Sequence, residues 1–374
     1  METPSLSKSS SNLSLPNIKT AQENEELLTF TITNCNVSVA NALRRTLISD
    51  IDTVIIQDID IYTNTTKLNN EILKHRLSCM PVHIKDLSTI DGIKLEINEV
   101  NNTDALLYIT TRNIKIKNKE TDTYLTEKIC KEVFPANEIT KCYPLFCRLK
   151  PKLTNEKSGQ IIKLSASLKI SNARENGMYN VVSTCAYKNS PDIAIQNDEW
   201  QKIADRLSEK EIDSSTIQYE KENWFTLKAK RFFVENSFDF KVESVGVFTN
   251  LELMHLACDK IINSLNDIIT KCDSDKLTFE KNTTTLSNSV DIILENYGYT
   301  IGKLLEYILH HEYYLNDNQL SYIGFIKKHP HDDFSIIRLA FINSERFTDT
   351  NIYSLIKFAC QNNIEIFKHI KNMF

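Results

Sequence analysis

The chain has 374 residues, 41% of them apolar, a net charge of −5 and a pI near 6.0. That is enough for two domains, or one with a large insertion, each with a real core. It speaks against a free-standing nucleic-acid binder, which carries a basic excess to displace counterions. No run approaches the roughly 20 apolar residues of a membrane span. Nine scattered cysteines, an odd number, suit a reducing compartment better than a disulfide framework.

Residues 1–25 begin Ser-rich, lack the apolar stretch of a signal peptide, and are expected to form a disordered tail. LLTFTIT (27–33) alternates as a half-buried strand. Asn36 or Ser38 can cap a helix running to about Ser49, with Val39, Leu43 and Leu47 as its apolar stripe. Arg44 flanks that stripe, and Arg45 points nearly opposite it at 100° per residue. A strand, TVIIQDIDIY (53–62), follows.

Residues 63–225 hold short strand-like runs broken by Asn, Lys, Pro and Gly, with one amphipathic helix candidate at 198–212; they read as a β-rich insert. SFDFKVESVG (237–246) then alternates strictly. Behind Thr249 or Asn250 comes a long helix over 251–272, with Leu251, Met254, Cys258, Ile261, Leu265 and Ile268 as its seam. A polar linker spans 273–288. Beyond it lie a strand (SVDIILEN), a helix (YTIGKLLEYILHH), strands in QLSYIGFIKK and DFSIIRLAFI, and a final helix over about 349–373. Ile352, Leu355, Ile356, Ala359, Ile366 and Ile370 form that helix's apolar side.

This order hides a repeat. Residues 27–62 with 237–272 read β-α-β-(insertion)-β-α, and 289–373 read β-α-β-β-α. The residues agree at the first helix, where SVANAL (38–43) and TIGKLL (300–305) match at an offset of 262. Each unit ends in a helix whose seam one thin sheet cannot cover. Burying roughly ten aliphatic side chains at about 1.5–3 kcal/mol each rivals a domain's net stability, so the seams are expected to meet. The fold expected is α+β: two β-α-β-β-α dimerisation units paired pseudo-symmetrically within one chain. The first unit is 26–62 plus 226–272, interrupted by the insert at 63–225, and the second is 289–374. The intramolecular dimerisation residues are Val39, Leu43, Leu47, Leu251, Met254, Ile261, Leu265, Ile301, Leu305, Leu355, Ile356 and Ile370.

Chemistry is sparse. Seven glycines include no nucleotide-binding loop, and Gly298-x3-Gly302 is better explained by helix-entry geometry. HPHDD (329–333), with His310 and His311, is the best metal candidate, but it reads first as a hairpin turn. The Cys142-x4-Cys147 pair cannot complete a four-ligand zinc site. No catalytic constellation and no metal site are expected.

SVANALRRTLISDIDTVIIQDIDIYTNTTKLNNEILKHRLSCMPV (38–82) closely resembles the signature of α-like subunits of multisubunit DNA-dependent RNA polymerase. FDFKVESVG (238–246) resembles that family's second signature, and 159–187 its insert segment. Residues 296–341 resemble the smaller partner, the archaeal L or eukaryotic eleventh subunit. One chain with both halves looks like the fusion used by large DNA viruses.

The resemblance implies a non-catalytic assembly platform that docks the two large catalytic subunits for transcription. It implies no cofactor in this chain, the magnesium lying in the large subunits. The first helix would face the second-largest subunit, with Asn41, Arg44 and Arg45 docking protein; an arginine fork pairs with carboxylates and carbonyls. Alternatively, the Arg44 stem merely covers the seam. Arg76 is a docking residue or a buried structural ion pair. Glu243 and Gly246 specify the fold rather than a contact. In the second unit Lys303, Glu306 and Tyr307 replace the Asn-Arg-Arg set, and Gly298-Tyr299 replaces the family's Asp-His. The second half is therefore expected to meet the largest subunit. A small subunit of the platform is a further partner; no sequence-specific nucleic acid and no membrane are implied. The location expected is intracellular: for a viral chain, the host cytoplasm (viral factories) and virion, or the nucleus. Other readings are a stand-alone nucleic-acid-binding protein or another interaction scaffold.

Overall fold

The computed structural model describes residues 15–24, 26–152, 159–210, 213–282 and 286–374. The expected tail at 1–14 and the middle of the expected linker, 283–285, lie outside them.

In chain order the first elements are β1 (Asn17–Asn24), β2 (Leu27–Thr33), α1 (Val37–Ser49), β3 (Thr53–Asn64) and α2 (Asn70–Ser78). Next come β4 (Ile93–Val100), β5 (Leu107–Thr110), β6 (Lys115–Asn118), α3 (Glu127–Val133), β7 (Leu145–Leu149) and β8 (Ile161–Ser171). The middle holds β9 (Val182–Pro191), α4 (Ile193–Glu209), α5 (Ser214–Thr226), β10 (Phe233–Ser244) and α6 (Asn250–Asp273). The last are β11 (Phe279–Asn282), β12 (Ser289–Glu295), α7 (Tyr299–Leu309), β13 (Leu320–Ile326), β14 (Phe334–Phe341) and α8 (Asp349–Lys371). The described residues form two units: those of 15–46, 184–243 and 254–374 in one, those of 47–183 with 244–253 in the other.

The first unit holds two four-stranded sheets, ordered β1-β2-β10-β9 and β11-β12-β14-β13. The orders correspond strand for strand, which corrects the repeat drawn from sequence. The middle strand of the first half is β9, not 53–62: β3 pairs instead with β8 over most of its length. The insert therefore runs over about 47–183 rather than 63–225. Residues 17–24 are a strand on β2 rather than part of a tail. Residues 279–282 of the expected linker form β11 on β12. The helix expected at 198–212 starts at Ile193, and α5 follows it as a second helix. Trp200 and Trp224 pack between these two, with Ala229 beneath.

α1 and α7 share a burial pattern. Val39, Ala40, Ala42, Leu43, Thr46 and Leu47 are buried, as are Ile301, Gly302, Leu304, Leu305, Ile308 and Leu309, each 262 residues later. Asn36 accepts from Ser38 N–H at 2.8 Å and so caps α1, whereas Gly298 gives α7 no side-chain cap. Gly302 is fixed by packing rather than helix entry, since a Cβ there would stand 1.9 Å from the Phe325 ring.

In the second unit, β3-β8-β4-β6 form one antiparallel sheet and β5-β7 a small second one. Val54, Ile56, Leu95, Ile97, Phe146 and Leu164 are among its buried core. Asn69 caps α2, and Arg174 forks onto Asp50 at 3.1 and 2.8 Å. Gly246 has φ +107°, a conformation side-chain-bearing residues rarely adopt.

Candidate functional site

The long helices of the two halves meet within the first unit. Lys371 Nζ reaches Asp259 at 2.6 and 2.7 Å, and Lys357 reaches Asp273 at 2.5 Å. The end of α8 thus meets the first half of α6, and the end of α6 meets the first half of α8, so the two run antiparallel. Tyr297 donates to Asp267 at 2.7 Å, and Phe374 stands edge-on to Phe30 with centroids 4.9 Å apart. Asn363, fully buried, donates to Leu304 O at 3.1 Å and Ala359 O at 2.8 Å, joining α8 to α7.

Of the residues expected in the seams, Val39, Leu43, Leu47, Met254, Ile261, Leu265, Ile301, Leu305, Leu355, Ile356 and Ile370 are buried. Leu251 is a correction: it lies in the first turn of α6 with 38% exposure, and Leu253 is buried in its stead. A signal for this register stands in the sequence. LMHLAC (253–258) and LIKFAC (355–360) repeat at an offset of 102 and bury the same positions, down to Ala257 with Ala359 and Cys258 with Cys360. Burial pushes the Cys258 thiol up to about 12 and that of Cys360 up as well, so both stay protonated packing groups.

The docking candidates fall into different settings. Arg44 donates to Asn41 Oδ1 at 3.0 Å, and both are half-buried on α1. Arg45 is exposed but also donates to Thr300 Oγ1 at 3.0 Å, on the first helix of the other half. Arg76 is exposed and bonds the Leu145 carbonyl at 2.8 Å, so it is not a buried ion pair. Glu243 accepts from Thr184 at 3.0 Å, bridging β10 and β9.

At the matching face of the second half, Lys303 pairs with Glu306, and Glu306 also accepts from Phe325 N–H at 3.3 Å. Burial raises the Tyr307 phenol's pKa, with help from Cys35 and Glu312. α7 runs on as a π-helix over His310–Asn316, where His310 stacks on Tyr314 at 4.9 Å. Periodicity alone did not reveal this turn, a rare geometry that recurs at functional sites.

His329 and His331 sit in the turn between β13 and β14, and no group of three or more His, Cys, Asp or Glu placed to hold a metal occurs among the described residues. All nine cysteines are free, with Cys142 exposed and Cys147 buried. Among the described residues no helix is long and apolar enough to cross a membrane.

The RNA polymerase Rpb3/Rpb11 dimerisation domain matches residues 29–265, more than half of the chain. The chain belongs to the Rpb3/Rpb11 dimerisation-domain family. Subunit Rpo3 of the DNA-directed RNA polymerase of Methanosphaera stadtmanae is 22% identical over 272 residues, covering 68% of this chain and 97% of the relative. Subunit rpac1 of DNA-directed RNA polymerases I and III of Dictyostelium discoideum is 24% identical over 299 residues, 68% of this chain and 82% of the relative. A conjugation stage-specific protein of Tetrahymena thermophila is 31% identical over 107 residues, 25% of this chain and 34% of that protein. The family's domain runs from β2 across the insert into α6, so the match spans the interruption that separates β2 and α1 from β9, β10 and α6.

Proposed function

We propose that this chain is a non-catalytic assembly platform of a DNA-directed RNA polymerase, docking its two large catalytic subunits for transcription. The observation that carries this is the antiparallel α6–α8 pair, tied by Asp259–Lys371 and Asp273–Lys357, in a chain of the Rpb3/Rpb11 family. Both dimerisation partners then reside in one chain as a pseudo-two-fold pair, the second half playing the role of the smaller subunit in a fusion of viral type. Asn41, Arg44 and Arg45 on α1 dock the second-largest subunit, and Arg76 is a further docking residue. Lys303, Glu306 and Tyr307 on α7 face the largest subunit. A small platform subunit is a further partner. The chain carries no cofactor; the magnesium of nucleotidyl transfer belongs to the large subunits. It acts inside the cell, without sequence-specific contacts to nucleic acid.

The test is co-expression of the full tagged chain with both large subunits, followed by identification of co-purifying chains. Both are expected in near-equal amounts with the bait. A chain that elutes alone overturns the assignment.

A further inference from the structure

We infer that Cys79, Met178 and His75, at the surface of the second unit, form a three-coordinate site for a soft monovalent cation, copper(I). This goes beyond the assembly role: the ion is a ligand that fastens two parts of the fold, not a cofactor of nucleotidyl transfer.

The site is built on the end of α2. Leu73 and Leu77 bury one side of that helix, and His75 and Cys79, four residues apart on the opposite side, are exposed. The Cys79 amide donates to the His75 carbonyl at 3.1 Å, which closes the turn between them. His75 Nε2 stands 3.9 Å from Cys79 Sγ. The third group comes from 99 residues further along the chain. Met178 lies in a short turn, Gly177–Tyr179, whose entry is capped by Asn176 accepting from the Met178 amide at 3.1 Å. That turn sets Met178 Sδ 4.0 Å from Cys79 Sγ.

These spacings suit a shared ion. Sulfur and imidazole bind a first-row d10 cation at about 2.3 and 2.0–2.1 Å. In a trigonal plane such bonds put sulfur and sulfur about 4.0 Å apart, and sulfur and nitrogen about 3.8 Å apart. Two sides of the ligand triangle therefore already have the length that one ion requires. With methionine as the third ligand, His, Cys, Asp and Glu alone form no such group among the described residues.

The donor set chooses the ion. Magnesium, calcium and manganese want oxygen, and a thioether offers them nothing. Zinc takes thiolate, imidazole and carboxylate and gains little from methionine. Thiolate with thioether selects copper(I). Cys79, Met80 and Met178 also line a cavity of about 60 Å³, walled further by Val82, Val181 and Val247, so one side of the site is shielded by apolar groups. The surroundings favour a cation: burial first, then Cys79 and Glu175, raise the pKa of the adjacent Tyr179 phenol. The exposure of His75 and Cys79 gives the ion a way in. Binding replaces the thiol proton: Cys79 Sγ–H releases H⁺ as the copper–sulfur bond forms, and no electron moves.

The test is titration of the full chain with copper(I), supplied in that state without oxygen, against a chromogenic copper(I) chelator. One equivalent is expected to resist the chelator. Cys79→Ser and Met178→Leu should each weaken retention at least about tenfold. Both keep the side-chain volume, and unchanged melting temperatures of the metal-free variants would show that they fold. Cys142→Ser, which removes the other exposed cysteine, should change nothing. X-ray absorption at the copper edge should find two sulfurs and one nitrogen, and one sulfur fewer in Met178→Leu. Equal release of copper by wild type and Cys79→Ser overturns the site. So does loss on Cys142→Ser, which makes the copper adventitious, or full retention by Met178→Leu, which leaves a thiol–imidazole pair without the thioether. Zinc that displaces copper(I) from the wild type overturns the proposal too.

Discussion

The two halves of the first unit solve one packing problem with different surfaces. Both place an added edge strand beside the first strand, bring the last strand to its other side, and leave the middle strand at the rim. α1 and α7 bury the same positions, and α6 and α8 share a Leu-x4-Cys register within LMHLAC and LIKFAC. They part company in the connections. Between α1 and β9 the first half carries the long stretch that makes up most of the second unit, where the second half uses one π-helical stretch. Between β9 and β10 it carries the α4–α5 hairpin, where the second half uses a His-Pro turn. Loop-closure cost grows only with the logarithm of length, so long insertions are cheap wherever the chain leaves a sheet at its rim. Buried positions preserve the duplication; exposed ones, such as Arg44 against Glu306, are free to diverge.

The strongest way to break this comparison is at the seam. Phe367 is fully buried on α8 at the place Leu265 holds on α6. Phe367→Ala should cost about 3–5 kcal/mol by chemical denaturation. If the halves share one cooperative core, amide protection should fall in β2 along with β12. Loss confined to β11–β14 would mean that each half folds on its own core. A milder cut uses the matched small residues. Gly302→Ala forces a Cβ into Phe325 and should cost about 1–3 kcal/mol. The mirrored Ala40→Gly should cost about 1 kcal/mol, the helix-propensity term alone. Equal costs would show that Gly302 is not held by the ring.

Much of the fold was legible because its buried faces are periodic. LLTFTIT, the 251–272 seam and the last helix follow spacings of two or of three and four. Sheet membership was not legible. β3 and β9 both follow the repeat's first helix, and local pattern cannot tell which strand pairs with β10; β9 has only Val182, Cys185 and Tyr187 to mark an inner face. β1 and β11 were missed because their burial is slight and their residues polar. Leu251 was misplaced because apolar identity in a first helical turn does not say which side the helix will bury. At the candidate surface, the arginines were visible as charges. The Arg45–Thr300 bond, joining residues 255 apart, and the Glu306 cap on Phe325 depend on tertiary geometry that no local spacing encodes.

The smallest effect probes a matched pair. Cys35 and Tyr297 occupy one position, 262 residues apart, before the first helix of each half. The first is a buried thiol; the second donates to Asp267, which also pairs with Lys271 at 2.8 Å. Lys271 first and Tyr297 second hold the Asp267 carboxyl below its ordinary value. A carboxyl depressed by folding adds stability that is full above its unfolded pKa, about 4, and is lost as pH falls through the folded value. The wild-type chain should therefore lose more melting temperature between pH 5 and pH 3 than Asp267→Asn does. Because the group is exposed, the difference should be slight and should shrink further in high salt. Parallel losses in the two proteins would mean that the Tyr297 contact, although it lies between the halves, adds nothing to their union.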